Sequence, residues 1–219
     1  ASALIEALQR VPQCKVIYLS SGGTVYGDCG DRRPSEDEAL RPRSYYGAGK
    51  AAVEMFLRGW SSQHGGDVVA IRPSNVYGPG QDYEGGFGII PAAFNSVVSG
   101  VPLTIWGGGS QVRDYLHVAD LAELVGRVVT APVPAGFSVM NASSGRGVTL
   151  KGLIAMVSSV VGKPVECTYS SGRDVDVNSI VPDSLRAWLT YEWRSVISLE
   201  SGLAAAWSWW RTCRVGSQC

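Results

Sequence analysis

The chain has 219 residues, 45% of them hydrophobic and 17% charged, a composition that supports a packed core and excludes a disordered tail. Basic and acidic residues stand at 19 each, so no net field draws the chain to nucleic acid, and no apolar run reaches the roughly 18 residues of a membrane span. Cys14, Cys29, Cys167, Cys213 and Cys219 share no metal-type spacing, and with His64 and His117 as the only histidines they argue against zinc and for a reduced, cytoplasmic chain.

In chain order, Ala3, Leu4, Ala7 and Leu8 recur at helical spacing through Ala1–Val11, and Pro12 closes that segment. Val16–Leu19 is a short continuous apolar run, the pattern of a strand buried on both faces. A long polar loop, Ser20 to Arg43, leads to a helix from Ser44 to Gln63 and a strand over Val68–Ile71 that ends at Arg72-Pro73. Alternating helices and buried strands predict a parallel, doubly wound α/β sheet of Rossmann type, whose ligands gather at the C-terminal ends of the strands.

Beyond Gly78 the pattern predicts a Gly-rich loop over Gln81–Gly88 and a helix over Ile89–Val98. A strand over Leu103–Trp106, a loop over Gly107–Val112 and the segment Asp114–Val118 follow. After them come a helix over Ala119–Val129 and a strand over Phe137–Asn141. A helix over Leu150–Val161, the segment Val165–Tyr169 and a helix over Leu199–Trp210 complete the readable elements. The expected division is a partial doubly wound domain (1–80, with 118–141 returning to it), a smaller α/β lobe (81–117 and 142–211), and a tail (212–219).

Tyr46 and Lys50 lie one helical turn apart and share a face. A neighbouring ammonium favours the ionised form of a phenol, which suits such a tyrosine to general-base work. Alone, the pair is common on helix surfaces. Its context is not, because Ser20-Ser21-Gly22-Gly23-Thr24-Val25-Tyr26-Gly27 follows the strand before it. Arg72-Pro73-Ser74-Asn75-Val76-Tyr77-Gly78 follows the strand after it, and Gly109-Ser110-Gln111-Val112-Arg113-Asp114-Tyr115-Leu116-His117-Val118 comes later.

Together these residues resemble the extended short-chain dehydrogenase/reductase family, and within it the nucleotide-sugar epimerases. The resemblance implies NAD as cofactor, a UDP-sugar substrate and a homodimeric intact enzyme, with transient oxidation of the sugar at C4. By it Tyr46 is the base and Lys50 holds the nicotinamide ribose. Ser21 and Pro73 face the cofactor, while Asn75, Gly88, Ile89, Trp106, Arg113 and the pair Arg173 and Asp176 face the sugar nucleotide. Position 22, usually a serine in the family, is Gly22, so Thr24 is the expected hydroxyl partner and Ser21 the second candidate. Ser20 reads as a cap on the strand end, and His117 as structural. Gly49, just before Lys50, costs about 1 kcal/mol of helix propensity.

Dehydratases of this family carry an Asp-Glu pair just before Val-Tyr-Gly, where this chain has Gly23-Thr24, which favours an epimerase over a dehydratase or decarboxylase. The family's Gly-x-x-Gly-x-x-Gly fingerprint is not found in the sequence. This leads to the expectation of a fragment lacking its first βαβ units, with weak NAD binding, an open apolar edge at Val16–Leu19, and a non-catalytic truncated binding module as the alternative.

Overall fold

The computed structural model describes residues 2–11, 13–83, 88–132, 135–172 and 177–215. Helix α1 (Ser2–Gln9) precedes strand β1 (Val16–Leu19). Helix α2 (Tyr45–His64) begins where the Ser44 hydroxyl accepts the Gly47 N–H at 3.1 Å, and it ends at Gly65, which is left-handed at φ 70°. The chain continues through β2 (Val68–Pro73), β3 (Asn75–Tyr77), α3 (Ile89–Ser99), β4 (Leu103–Trp106) and β5 (Val112–His117). Helix α4 (Val118–Thr130) starts on the His117 imidazole, whose Nδ1 accepts the Ala119 N–H at 3.2 Å. After β6 (Phe137–Ala142) and β7 (Gly147–Thr149), Thr149 caps α5 (Leu150–Val161). Then come β8 (Cys167–Ser170), β9 (Ser179–Ile180), α6 (Leu185–Tyr191) and α7 (Leu199–Val215).

Three parallel strands in the order β1-β2-β6 form the first sheet, with α2 and α4 in the two crossovers. Helices cover both of its faces, as expected for a doubly wound sheet. Leu8, Leu57, Trp60 and Val68 cluster on one side; Ile71, Leu121, Leu124, Met140 and Trp193 cluster on the other. Central β2 is buried along its whole length. β1, expected to be buried, is only half-buried, with Leu19 42% exposed. It lies at the sheet margin, with β2 on one side only among the described residues.

At the opposite margin, side chains occupy the outer edge of β6. Glu36 Oε1 accepts the Asn141 N–H at 2.7 Å, and Arg186 Nη1 donates to the Val139 carbonyl at 3.3 Å. Beyond this sheet, β5 pairs in parallel with β3 and β9 and antiparallel with β7, while β4 pairs in parallel with β8. Helices α3, α5 and α7 pack there around Phe94, Leu153, Leu203 and Trp210.

Some boundaries differ from the sequence reading. β5 starts at Val112 inside the expected loop, β8 starts at Cys167 rather than Val165, and α7 runs through Val215, past the expected start of the tail. Strands β3, β7 and β9 and helix α6 were not anticipated.

Candidate active site

The face of α2 against the sheet carries Tyr46, Lys50 and Glu54, each a turn from the last. Lys50 Nζ donates to the Leu19 carbonyl at the end of β1 (2.8 Å), and Glu54 grips Arg72 near the end of β2 (Nη2–Oε2 2.6 Å, Nε–Oε1 3.0 Å). Arg72 and Glu54 are 3% and 1% exposed, so the pair is held away from solvent screening. Arg72 Nη1 also donates to the Tyr26 hydroxyl (2.8 Å), which donates to Asn141 Oδ1 (2.6 Å). Helix α2 is thereby tied to both strand ends, which sets where Tyr46 stands.

Gly47 sets how close the helix comes to the preceding loop. A Cβ at position 47 would lie 2.8 Å from the Thr24 carbonyl oxygen and 3.1 Å from Pro42 Cβ, so only glycine lets the first turn rest on Thr24. Gly22 is held by the same kind of constraint. Its Cβ would meet the Arg72 carbonyl oxygen at 2.7 Å, Pro182 Cγ at 3.2 Å and the Pro73 carbonyl oxygen at 3.3 Å. The serine usual at that position in the family has no room here.

A cavity of about 510 Å³ opens where these elements meet. Its wall includes Ser21, Thr24, Tyr46, Pro73, Asn75, Gly88, Ile89, Trp106 and Arg113, which brings together most of the residues singled out in the sequence. Lys50 stands behind this wall, its Nζ 5.6 Å from the centre of the Tyr46 ring. Arg173 and Asp176 lie outside the described residues. Asn75 is held by its own Nδ2, which donates to the Asp114 carbonyl at 2.9 Å. The Pro73 carbonyl, expected to face the cofactor, already accepts the Gly22 N–H at 2.7 Å.

Ser20, expected to be a cap, also lines the cavity, as do Ser74, Gln81, Thr104, Gln111, Tyr77 and Tyr115, to which the sequence reading gave no role. Gln111 and Ser74 lie inside motifs quoted from the sequence, so their proximity was the available signal. Burial pushes the Tyr115 hydroxyl up to about 12 against the pull of Arg113, and raises Tyr77 too, with Asp120 and Asp114 adding to it. Both phenols stay neutral. Tyr46 differs from them in being 59% exposed.

Asp114 belongs to the frame rather than to the wall. Fully buried, it accepts from the Ser74 and Ser144 hydroxyls and from the backbone N–H groups of Ser144 and Arg146. It thereby fixes Ser74 and the start of β3 against β5. His117 is structural, as expected: it caps α4 and packs edge-on to Tyr77 at 5.4 Å between ring centres. The expected capping role of Ser20 fails, because its buried hydroxyl has no hydrogen-bond partner among the described residues.

The profile of the NAD dependent epimerase/dehydratase family matches residues 1–142. The chain belongs to that family. Among relatives of this NAD-dependent family, the chain is 33% identical over 189 residues to the dTDP-4-dehydro-6-deoxyglucose reductase of Escherichia coli, covering 86% of this chain and 59% of the relative. It is 33% identical over 202 residues to the UDP-glucose 4-epimerase of Mycolicibacterium smegmatis, covering 92% and 64%. The chain thus spans about three-fifths of the length of these curated relatives.

Among solved structures, the UDP-glucose 4-epimerase of Thermotoga maritima with UDP-glucose superimposes with a TM-score of 0.89 at 30% identity, over 96% of this chain and 68% of that one. The dTDP-glucose 4,6-dehydratase of Bacillus anthracis in complex with NAD gives 0.84 at 26%, over 95% and 65%. Epimerase, reductase and dehydratase are all represented among these relatives and neighbours.

Proposed function

We propose that the chain carries the sugar-oxidising centre of a nucleotide-sugar 4-epimerase of the UDP-glucose/UDP-galactose type. The observation that carries this reading is the make-up of the cavity: one exposed phenol, hydroxyls, amides and Arg113, with no carboxylate among its described lining residues. Elimination of water across C5 and C6 needs a further acid–base pair beside the tyrosine, whereas epimerisation at C4 needs one group that takes a proton and returns it.

Tyr46 removes the proton from the sugar 4-hydroxyl and gives it back, with the Thr24 hydroxyl holding the sugar oxygen. Bound NAD would supply the hydride acceptor at C4, and Tyr46, Lys50, Ser21 and Pro73 are the residues that would hold its nicotinamide half. The fit is supported by the exposed Tyr46 phenol beside Lys50, on a cavity that Ser21 and Pro73 also line. Arg113 offers a guanidinium fork to the diphosphate. Asn75, Gly88, Ile89 and Trp106 surround the sugar nucleotide, and Arg173 and Asp176 join them on sequence grounds alone. In this reading residues 1–80 and 118–141 form the cofactor side, and 81–117 with 142–211 the sugar side.

A reductase reading draws on the Escherichia coli relative, with Tyr46 donating a proton to a 4-keto sugar. One assay separates the two. The full gene product with NAD is expected to interconvert UDP-galactose and UDP-glucose without net change in absorbance at the NADH band. Tyr46→Phe is expected to lower that turnover roughly 10²–10⁴-fold while leaving UDP-sugar binding intact. Stoichiometric reductant consumption with a 4-keto sugar, and no interconversion, refutes the epimerase reading.

A further inference from the structure

Among the described residues the buried side-chain atoms Ser20 Oγ, Thr24 Oγ1 and Gln111 Oε1 lack a hydrogen-bond partner, and all three belong to residues lining the cavity. A buried hydroxyl without a partner is destabilising, and an orphan of this kind calls for a specific explanation. Ser20 is 3% exposed, and its N–H continues the ladder just past β1, donating to the Ile71 carbonyl at 2.7 Å. Its side chain therefore does nothing for the fold that an alanine would not do.

Alternation along the strand sets Ser20 on the same sheet face as Tyr18. Helix α2 covers that face, since the Tyr18 hydroxyl reaches the Lys50 carbonyl at 3.4 Å and Lys50 Nζ lies 5.3 Å from the Tyr18 ring centre. Ser20 thus belongs to the floor under Tyr46. Thr24 approaches the same turn of α2 from the loop side, against Gly47. The position between them, Gly22, is closed to any side chain by the Arg72 carbonyl.

We infer that the Ser20 hydroxyl is a substrate-binding group, supplying with Thr24 the pair of hydroxyls that hold the hexose 4-oxygen at Tyr46, in place of the hydroxyl that position 22 has no room to carry. This rests on the nucleotide-sugar reading of the cavity. A hydroxyl both donates and accepts, so Ser20 can donate to the sugar oxygen as Tyr46 takes its proton, and no covalent step passes through it. Gln111 Oε1, the third orphan, stays free to accept from a second ligand hydroxyl, while its Nε2 is spent on the Trp106 carbonyl at 2.8 Å.

The test compares wild type with Ser20→Ala in the full gene product. Calorimetric titration is run with UDP-glucose and with UDP, which lacks the hexose, alongside turnover and the thermal midpoint without ligand. Ser20→Ala is expected to weaken UDP-glucose binding about threefold or more, leave UDP binding unchanged, and lower turnover about tenfold or more. The ligand-free midpoint is expected to hold or rise, because the variant loses an unsatisfied polar group. Equal effects on UDP and UDP-glucose, or turnover within about twofold of wild type, overturn the inference. If neither protein interconverts UDP-hexoses, the epimerase reading falls, and the UDP-glucose against UDP comparison still decides the role of Ser20.

Discussion

Restoring the family serine by Gly22→Ser is expected to damage the protein rather than improve it. A Cβ at position 22 would stand 2.7 Å from the Arg72 carbonyl oxygen, with Pro182 and the Pro73 carbonyl close behind. The Arg72 oxygen cannot retreat cheaply. It belongs to β2, which is paired on one side to β1 and on the other to β6, and the Arg72 side chain is locked to Glu54. Overpacking of this kind costs roughly 1–3 kcal/mol. For a chain of this size that is a fall of roughly 2–12 °C in the thermal midpoint. Urea unfolding followed by circular dichroism is the assay, with the midpoint expected to fall at unchanged slope. Gly22→Ala should lose about as much, since the Cβ and not the hydroxyl makes the clash. A Gly22→Ser protein within about 0.5 kcal/mol of wild type and more active would refute both the steric argument and the assignment of the second hydroxyl to Ser20.

Glu54→Ala leaves the Arg72 charge buried without its partner and should cost about 3–5 kcal/mol; equilibrium unfolding checks it, and a loss under about 1 kcal/mol contradicts the burial of the pair. Glu192 ends α6 at φ 53°, a left-handed conformation that glycine adopts without penalty, so Glu192→Gly should gain about 1 kcal/mol, visible as a higher midpoint. Burial holds the His117 imidazole below its ordinary 6.5, with Asp120 opposing, so the unfolded chain takes up the proton first. The stability this residue contributes is therefore present above about pH 6.5 and is lost as pH falls through the lower folded value. His117→Asn keeps a capping acceptor that does not titrate and should flatten the dependence of urea midpoints between about pH 7.5 and 5.5; an identical slope in the variant rules His117 out as its source.

The regular elements were legible where a pattern repeats long enough to be read. Leu150–Val161 was readable to the residue, because apolar spacing, the Thr149 cap and the closing Gly162 agree. Strands β3, β7 and β9 span two or three residues and show no periodicity, and α6 has only seven. The apolar run Val16–Leu19 could not reveal that its strand is only half-buried, because exposure depends on what packs over it. At the site, Tyr46, Thr24, Asn75 and Arg113 were visible through their motifs and do share one cavity. Ser20 was misread because its neighbours in sequence suggest a cap, and only three-dimensional packing shows that no group among the described residues takes its hydroxyl. The Arg72–Glu54 pair likewise joins residues 18 apart that no local pattern links.

The side chains that close β6 limit how copies of the main sheet can join. Glu36 and Arg186 occupy hydrogen-bonding positions along its outer edge that an added strand would need. Among the described residues, the β6 margin is therefore closed to a strand added by a second chain, and Glu36→Ala with Arg186→Ala is the change that would open it.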